Sequence, residues 1–298
     1  MNPSDLKPKS NVLSISHFDF DGVSCVIALA GYFKNLKCKS CTFSNIDGML
    51  KKTNFDDYDA VFLTDCHPKD ENLMNISDKL IVLDHHPFVD EITRENVYSI
   101  TDNCAAILTK NWLEATYNIS LAHLDTFLKY TDDYDRWIHQ YKKSKMIECL
   151  FWRYGYYNFK DRFITGSTQF NQDEITYIRQ QMADFNKIYN ELELFEFESI
   201  NACLSSTNKF INDISDKMLY YDNYQLTVVR NSKSGHTSVR TRKDNNINIG
   251  EILKDLDIGG GHPKAGGLAV DHKELETLII DLNKLEKYLY DNFKEIRK

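Results

Sequence analysis

The sequence predicts an α/β protein: a doubly wound parallel five-stranded sheet, then a helical connector, then a smaller α+β domain. Three observations carry this expectation. Residues 11 to 137 alternate short apolar runs with helically spaced ones, the pattern of parallel βαβ units. From about Tyr141 to Lys217 strand signals thin out, while helix formers and aromatics accumulate. After Lys217 short strand patterns return, interrupted by a glycine-rich segment. The expected boundaries are 1–140, 141–217 and 218–298.

The strands of the first domain are read at Val12 to Ser16, Ser40 to Phe43, Ala60 to Thr64, Leu80 to Leu83 and Val97 to Ile100. Each is short, rich in β-branched or aromatic residues and little interrupted by charge, as strands covered on both faces are. Between them, Val23 to Asn35 and Ala105 to Tyr117 have helical spacing, the second opening from Thr101-Asp102-Asn103 as a cap. In the connector, Phe151, Trp152, Tyr154, Tyr156, Tyr157, Phe159 and Phe163 read as helix packing or as a base-stacking set, with packing favoured. Asp173 to Asn208 reads as one long helix or two. The last domain is read as strands at Leu219 to Tyr221, Tyr224 to Val229, Thr237 to Thr241 and Leu268 to Val270, with helices at Ile249 to Leu256 and Leu275 to Phe293.

Composition narrows the function class. The chain has 298 residues, 42% of them hydrophobic and 27% charged, which is the balance of a globular protein with room for two cores. No apolar run approaches the roughly 18 residues of a membrane span, so no membrane partner is expected. The polar Met1 to Ser10 stretch has no apolar signal core, and seven scattered cysteines fit a reducing compartment, so the expected location is cytoplasmic. A net charge of −8 argues against gripping long duplex by bulk attraction, but leaves small nucleotides open.

The chemistry concentrates in short Asp/His clusters: His17, Asp19 and Asp21 ahead of Gly22; Asp65; Asp84-His85-His86; and Asp132, Asp133 and Asp135. The first three follow strand patterns, and side chains at the carboxyl ends of parallel strands converge on one crevice. A lone Asp-x-Asp is equally a helix cap, and a lone His pair a surface turn. Three acidic strand ends together require cations to offset their charge. Oxygen and imidazole donors without thiolate suit Mn²⁺ or Mg²⁺. Cys38 and Cys41 have zinc-like spacing but no second pair at a matching distance, so they read as core or partly exposed thiols. His67, His123, His139, His236 and His272 read as structural.

These motifs, in this order, resemble those of the DHH phosphoesterase family. His17-x-Asp19-x-Asp21-Gly22 is similar to its first motif, Thr64-Asp65-Cys66 to its second, Asp84-His85-His86 to its third and Tyr130 to Trp137 to its fourth. Gly259 to Gly267, with the Ser238-Val239-Arg240 strand, resembles the signature of the associated substrate-binding (DHHA1-like) domain. The short His17 to Asp19 spacing is that of the nanoRNase and RecJ-like side of the family. The resemblance implies a DHH catalytic domain with two divalent cations, Mn²⁺ or Mg²⁺, between its two domains. Asp65 would bridge them, His17 and Asp19 would complete one site, and Asp21, His85 and Asp133 the other. Asp133 is taken because the Asp-x-Asp-x-Trp pattern aligns it with Asp135 and Trp137. His86 would face the substrate phosphate and Asp84 would orient a histidine ring. Arg240, Gly260, Gly261, His262 and Lys264 would bind substrate.

The implied activity is hydrolysis of short single-stranded RNA or DNA from one end, to nucleoside monophosphates, by water activated on paired metals. Two alternatives stay open. One is a phosphoesterase for a small nucleotide, such as a cyclic dinucleotide or a bisphosphonucleoside. The other is a non-catalytic nucleotide-binding or nucleic-acid-binding protein on the same scaffold. Oligomeric state is open, a homodimer included.

Overall fold

A computed structural model describes residues 1–86, 96–99, 101–269 and 275–298. Pro87, Ile100, Val270 and His272 therefore lie outside the described residues. The chain divides into two compact units, Met1–Arg179 and Gln180–Lys298. Among the described residues no helix is long and apolar enough to cross a membrane.

The first unit is built on β1 (Asn11–His17), β2 (Asn35–Cys41), β3 (Ala60–Thr64), β4 (Leu80–Asp84) and β5 (Val97–Ser99), all parallel, in the order β2-β1-β3-β4-β5. β3 and β4 are buried along their whole length, which explains their unbroken apolar sequence. β2 lies at the sheet edge and alternates exposed Lys37 and Lys39 with half-buried Leu36 and Cys38. That lysine-guarded edge is why it begins earlier than the apolar run at Ser40 to Phe43 suggests. α1 (Phe20–Tyr32), α2 (Ile46–Lys52), α3 (Ala105–Tyr117), α4 (Asp125–Asp135) and α5 (Lys142–Phe163) cover the sheet or pack beside it. α5 breaks at Gly155, whose φ of 68° is left-handed. One core joins α1, α3, α4 and α5 through Val26, Leu29, Leu113, Phe127, Phe151, Phe159 and Phe163.

α6 (Gln172–Asn190) contains the division between the units, which therefore falls inside the stretch read as a connector. The second unit holds a six-stranded mixed sheet, β10-β11-β9-β8-β7-β6. Its strands are β6 (Phe195–Glu196), β7 (Ala202–Thr207), β8 (Leu226–Asn231), β9 (Thr237–Thr241), β10 (Gly259–His262) and β11 (Ala265–Leu268), with helices α7 (Ile211–Tyr220), α8 (Ile249–Asp255) and α9 (Leu275–Asn292). Two sequence expectations are corrected here. The segment 173–208 is helical only to Asn190, and its end forms β6 and β7. Leu219 and Tyr220 close α7 instead of starting a strand. β7 was missed because Ala202 to Thr207 carries three hydroxyl residues in six, and its burial comes from parallel pairing with β8 rather than from an apolar run.

A buried ion pair ties α5 to α6. The Glu174 carboxylate accepts from Arg162 Nε at 2.7 Å, Tyr154 Oη at 2.9 Å and the Asn171 amide at 2.7 Å. Burial alone would raise the Glu174 carboxyl, but these donors outweigh it and hold it below the usual glutamate range. Its stabilisation is therefore present above the unfolded glutamate pKa of about 4.3 and is lost as pH falls through the lower folded value. Glu174→Ala should cost about 1–3 kcal/mol in urea unfolding at pH 7, by removing the acceptor shared by Arg162, Tyr154 and Asn171. The variant should also lose less stability than the parent between pH 5 and pH 3, and an equal loss in both would overturn this role.

Candidate metal centre

The strand order reverses beside β1, because β2 lies on one side of it and β3 on the other. Open α/β sheets bind ligands at such a switch point, outside the carboxyl ends of the strands. β1 ends there with His17, β3 delivers Asp65 one residue beyond its end, and β4 ends in Asp84, followed by His85 and His86. Gly22 allows the chain to turn tightly from β1 into α1: a Cβ on it would lie 2.1 Å from the His17 carbonyl oxygen.

Asp65 is the centre of the cluster. It is 1% exposed and adopts a left-handed φ of 59°, a strained backbone for a side chain other than glycine. Among the described residues neither of its carboxylate oxygens has a hydrogen-bond partner, a state also found at His85 Nε2 and Asp135 Oδ2. One Asp65 oxygen lies 3.8 Å from His17 Nδ1, and the other lies 3.4 Å from His85 Nε2 and 3.9 Å from His86 Nδ1. Three sets of donors lie close enough to hold a cation: His17, Asp19 and Asp65; Asp65, His85 and His86; and Asp21, His85 and Asp135. Burial pushes the Asp65 carboxyl well up, and the nearby Asp19, Asp21 and Asp135 carboxylates push it further. Burial and its own acidic neighbours, Asp21 and Asp19 first, act on Asp135 in the same direction. Buried, unpartnered carboxylates that repel each other fit divalent cations, which would satisfy the free oxygens and offset the charge.

The surroundings hold these donors in place. Asp19 caps α1 through the Gly22 amide at 2.8 Å and accepts from His17 Nδ1 at 2.6 Å. Asp21 accepts the Ala105 and Ala106 amides at 2.7 and 3.0 Å, so it caps α3 from a different helix. A fully buried Asp84 receives His86 Nδ1 at 2.8 Å and His67 Nδ1 at 2.6 Å. Burial would raise its pKa, yet the two imidazoles hold it well below the usual carboxylate range. In return, Asp84 outweighs burial and raises the His86 ring. Burial lowers the His85 ring, which favours the neutral form that ligates metals.

Neither a protein-family model nor a curated protein sequence matches this chain. Solved structures do. The pGpG-specific phosphodiesterase PggH from Vibrio cholerae matches with a TM-score of 0.61 at 15% identity, covering 93% of this chain and 99% of that one. RecJ from Thermus thermophilus in complex with Mn²⁺ matches at 0.60 and 13%, covering 94% of this chain and 52% of that one. An exonuclease RecJ bound to manganese matches at 0.56 and 13%, covering 93% and 90%. This chain has the DHH phosphoesterase fold.

Within that DHH fold, the expected residues His17, Asp19, Asp21, Asp65 and His85 come together, with His86 beside them and Asp84 behind. Asp133 does not join them. Its carboxylate accepts the Gln140 amide at 2.7 Å, the Tyr141 amide at 3.2 Å and the Ser144 hydroxyl, so it closes the turn from α4 into α5. Asp135 takes the place expected of it, 3.4 Å from His85 Nε2. Asp132 accepts the Cys104 amide at the start of α3, replacing the cap expected from Thr101 to Asn103. His67 was read as structural, but it touches the Asp84 that orients His86. Its position two residues beyond Asp65, near the end of a buried strand, was the available signal. Cys38 and Cys41 stay apart in role, and Cys41 Sγ instead meets Cys66 Sγ at 3.4 Å.

In the second unit the glycine-rich segment is a hairpin rather than a loop before a strand. Gly260 pairs with Gly267, Gly261 with Gly266, and the His262 backbone with Ala265. The lack of side chains lets the ribbon lie against α8: a Cβ on Gly266 would be 2.7 Å from Leu253 Cδ1. Gly261 has a φ of 148° and no room for a Cβ, while Gly260 faces open space. Lys264 departs from the expected phosphate contact. Its Nζ donates to the Asn245 and Ile247 carbonyls at 2.6 and 3.0 Å, which locks the hairpin turn to the loop before α8. Arg240 Nη2 donates to Asn212 Oδ1 at 2.9 Å.

Asp133 and Asp135 can be separated by substitution. Asp133→Ala should lower stability by about 1–3 kcal/mol, by removing the acceptor of the buried Ser144 hydroxyl and of the Gln140 and Tyr141 amides, and leave Mn²⁺ affinity within about twofold. Asp135→Ala should weaken Mn²⁺ binding in calorimetry and cost little stability. The reverse pattern would restore Asp133 as the ligand.

Proposed function

We propose that the chain is a divalent-metal-dependent phosphodiesterase that hydrolyses short single-stranded RNA or DNA from one end to nucleoside monophosphates. The observation that carries this reading is Asp65: buried, without hydrogen-bond partners, and with its two oxygens turned toward two different sets of donors. In this reading His17 and Asp19 hold one cation and Asp21, His85 and Asp135 the other, with Asp65 between them. When bound, two such cations, Mn²⁺ or Mg²⁺, would supply Lewis acidity toward the phosphodiester and its attacking water.

The chain's own residues do the rest. The free amides of α3 hold Asp21 at a fixed position, although burial and the Asp19 charge still raise its carboxyl. Asp84 fixes the His86 ring by its Nδ1 and raises its proton affinity, which suits the ring to donate to a phosphate oxygen. His67 holds the other oxygen of Asp84 and keeps that carboxylate from turning away. Arg240, Gly260, Gly261 and His262 are proposed as substrate contacts of the second unit. Lys264 is not, since its ammonium is committed to the Asn245 and Ile247 carbonyls.

The fold likeness to a pGpG-specific phosphodiesterase supports a substrate as small as a linear dinucleotide. The likeness to an exonuclease supports attack from a strand end. A small-nucleotide phosphoesterase fits the same site equally well, and substrate size separates the two. The test is turnover of an end-labelled dinucleotide, a 24-mer and a bisphosphonucleoside with Mn²⁺. The expected result is fastest release from the dinucleotide, loss of turnover in Asp65→Ala, and a decrease of about 10–100-fold in Asp84→Asn. Preference for the bisphosphonucleoside would select the small-nucleotide reading. No Mn²⁺-dependent hydrolysis, with ligand binding unchanged in Asp65→Ala, would replace both by a non-catalytic binding protein.

A further inference from the structure

Large aromatic rings remain open to solvent at the turn after β2, at the start of α1 and on α5. Phe43 is 38% exposed, Phe18 39% and Trp152 63%. Phe43 lies in the turn after β2, with its ring centroid 4.7 Å from that of His17 and 5.7 Å from that of His86. Phe18 sits between His17 and Asp19 in the chain, so alternation turns it away from those two side chains. Its ring lies parallel to Tyr156 at 6.0 Å and meets Trp152 at 6.4 Å on α5.

These rings are held in place. The Phe18 amide donates to the Cys41 carbonyl at 2.8 Å, which ties the Phe18 segment to the end of β2. The Phe43 turn is closed by Thr42 N–H to Asn45 Oδ1 at 2.9 Å and by Asn45 N–H to the Thr42 carbonyl at 3.0 Å. Trp152 donates its indole N–H to Glu148 one turn earlier on α5. Packing alone would bury such residues, as it does Phe151, Phe159 and Phe163 in the same stretch. A fixed, exposed aromatic surface next to a cluster suited to cations and phosphate has the form of a stacking platform, since every nucleobase offers a π-face.

We propose that Phe43 stacks the base of a nucleotide whose phosphate lies at the Asp65 cluster. This rests on the phosphodiesterase reading and deepens it: the substrate is base-bearing, and stacking without hydrogen-bond readout makes it tolerant of base identity. Phe43 takes this role because its ring contacts both His17 and His86 of the cluster.

The test uses two readouts on the full chain. In the first, 2-aminopurine nucleoside 5′-monophosphate, whose fluorescence falls on stacking, is titrated with Mg²⁺ present. Saturable quenching is expected in the parent and in Phe43→Tyr, and about tenfold weaker binding in Phe43→Ala. In the second, kcat/KM is measured for a ribodinucleotide and for its abasic counterpart, and Phe43→Ala should lower the ratio of the two about tenfold. An unchanged ratio, with both substrates slowed together, would reduce Phe43 to a support for His17 and His86. Absence of quenching in the parent would also overturn the platform. If the parent hydrolyses neither dinucleotide, the phosphodiesterase reading fails, and the fluorescence titration still decides the stacking surface.

Discussion

The first unit is organised around burying like charges at one edge of a sheet. Asp21, Asp65 and Asp84 are almost completely buried, and Asp19 and Asp135 stand beside them. A buried carboxylate costs several kcal/mol unless it is paired, hydrogen-bonded or bound to a cation. The fold resolves this differently for each. Asp84 is held by two imidazoles and Asp19 by His17 and the start of α1, while Asp21 accepts two free amides of α3 that only partly offset its burial and the charge of Asp19. Among the described residues both Asp65 oxygens and Asp135 Oδ2 receive no such donor, so the unmet demand of the cluster falls on these two carboxylates.

Two helix contacts set the positions. Ser24 on α1 meets Thr131 on α4 at 3.2 Å. About one turn back from Ser24 is Asp21, and about one turn on from Thr131 is Asp135, so a single crossing brings both carboxylates to His85. The α1 to α3 contact works in the same way, because Asp21 caps α3 while remaining within reach of the cluster. Packing of the apolar core and placement of the acidic site are therefore one problem. A shift of α4 that relieved charge would also open the core around Phe127, which packs against Phe20, Phe159 and Phe163.

Much of this was legible in the sequence. β3 and α3 occur at the residues expected, and Asp65 was readable because an unbroken apolar run ends immediately before it. The ambiguity between Asp133 and Asp135 has a geometric origin. Two positions apart on a helix is a rotation of about 200°, so the two side chains face nearly opposite ways, and sequence spacing alone does not say which faces the site. The stripe Phe127, Thr131, Asp135 at four-residue spacing was the usable clue. His67 escaped notice because its partner is 17 residues away, and β7 because pairing, not composition, buries it. Lys264 was misread for a simpler reason: basic residues near glycines suggest phosphate, while carbonyls supplied by a distant loop leave no trace in local sequence.

Charge and aromatic content together bear on substrate size. The chain carries a formal charge of −8, so counterion release along a long strand offers it little binding energy. Affinity in such a protein must come from contacts close to the reacting phosphate. In the proposed reading, phosphate at the Asp65 cluster would supply an electrostatic contact and stacking an apolar one, and both would saturate within a nucleotide or two. Further phosphates on a longer strand would gain little attraction from a protein of net charge −8. The same overall charge that argues against a duplex-gripping protein therefore fits the proposed preference for short ends over long chains.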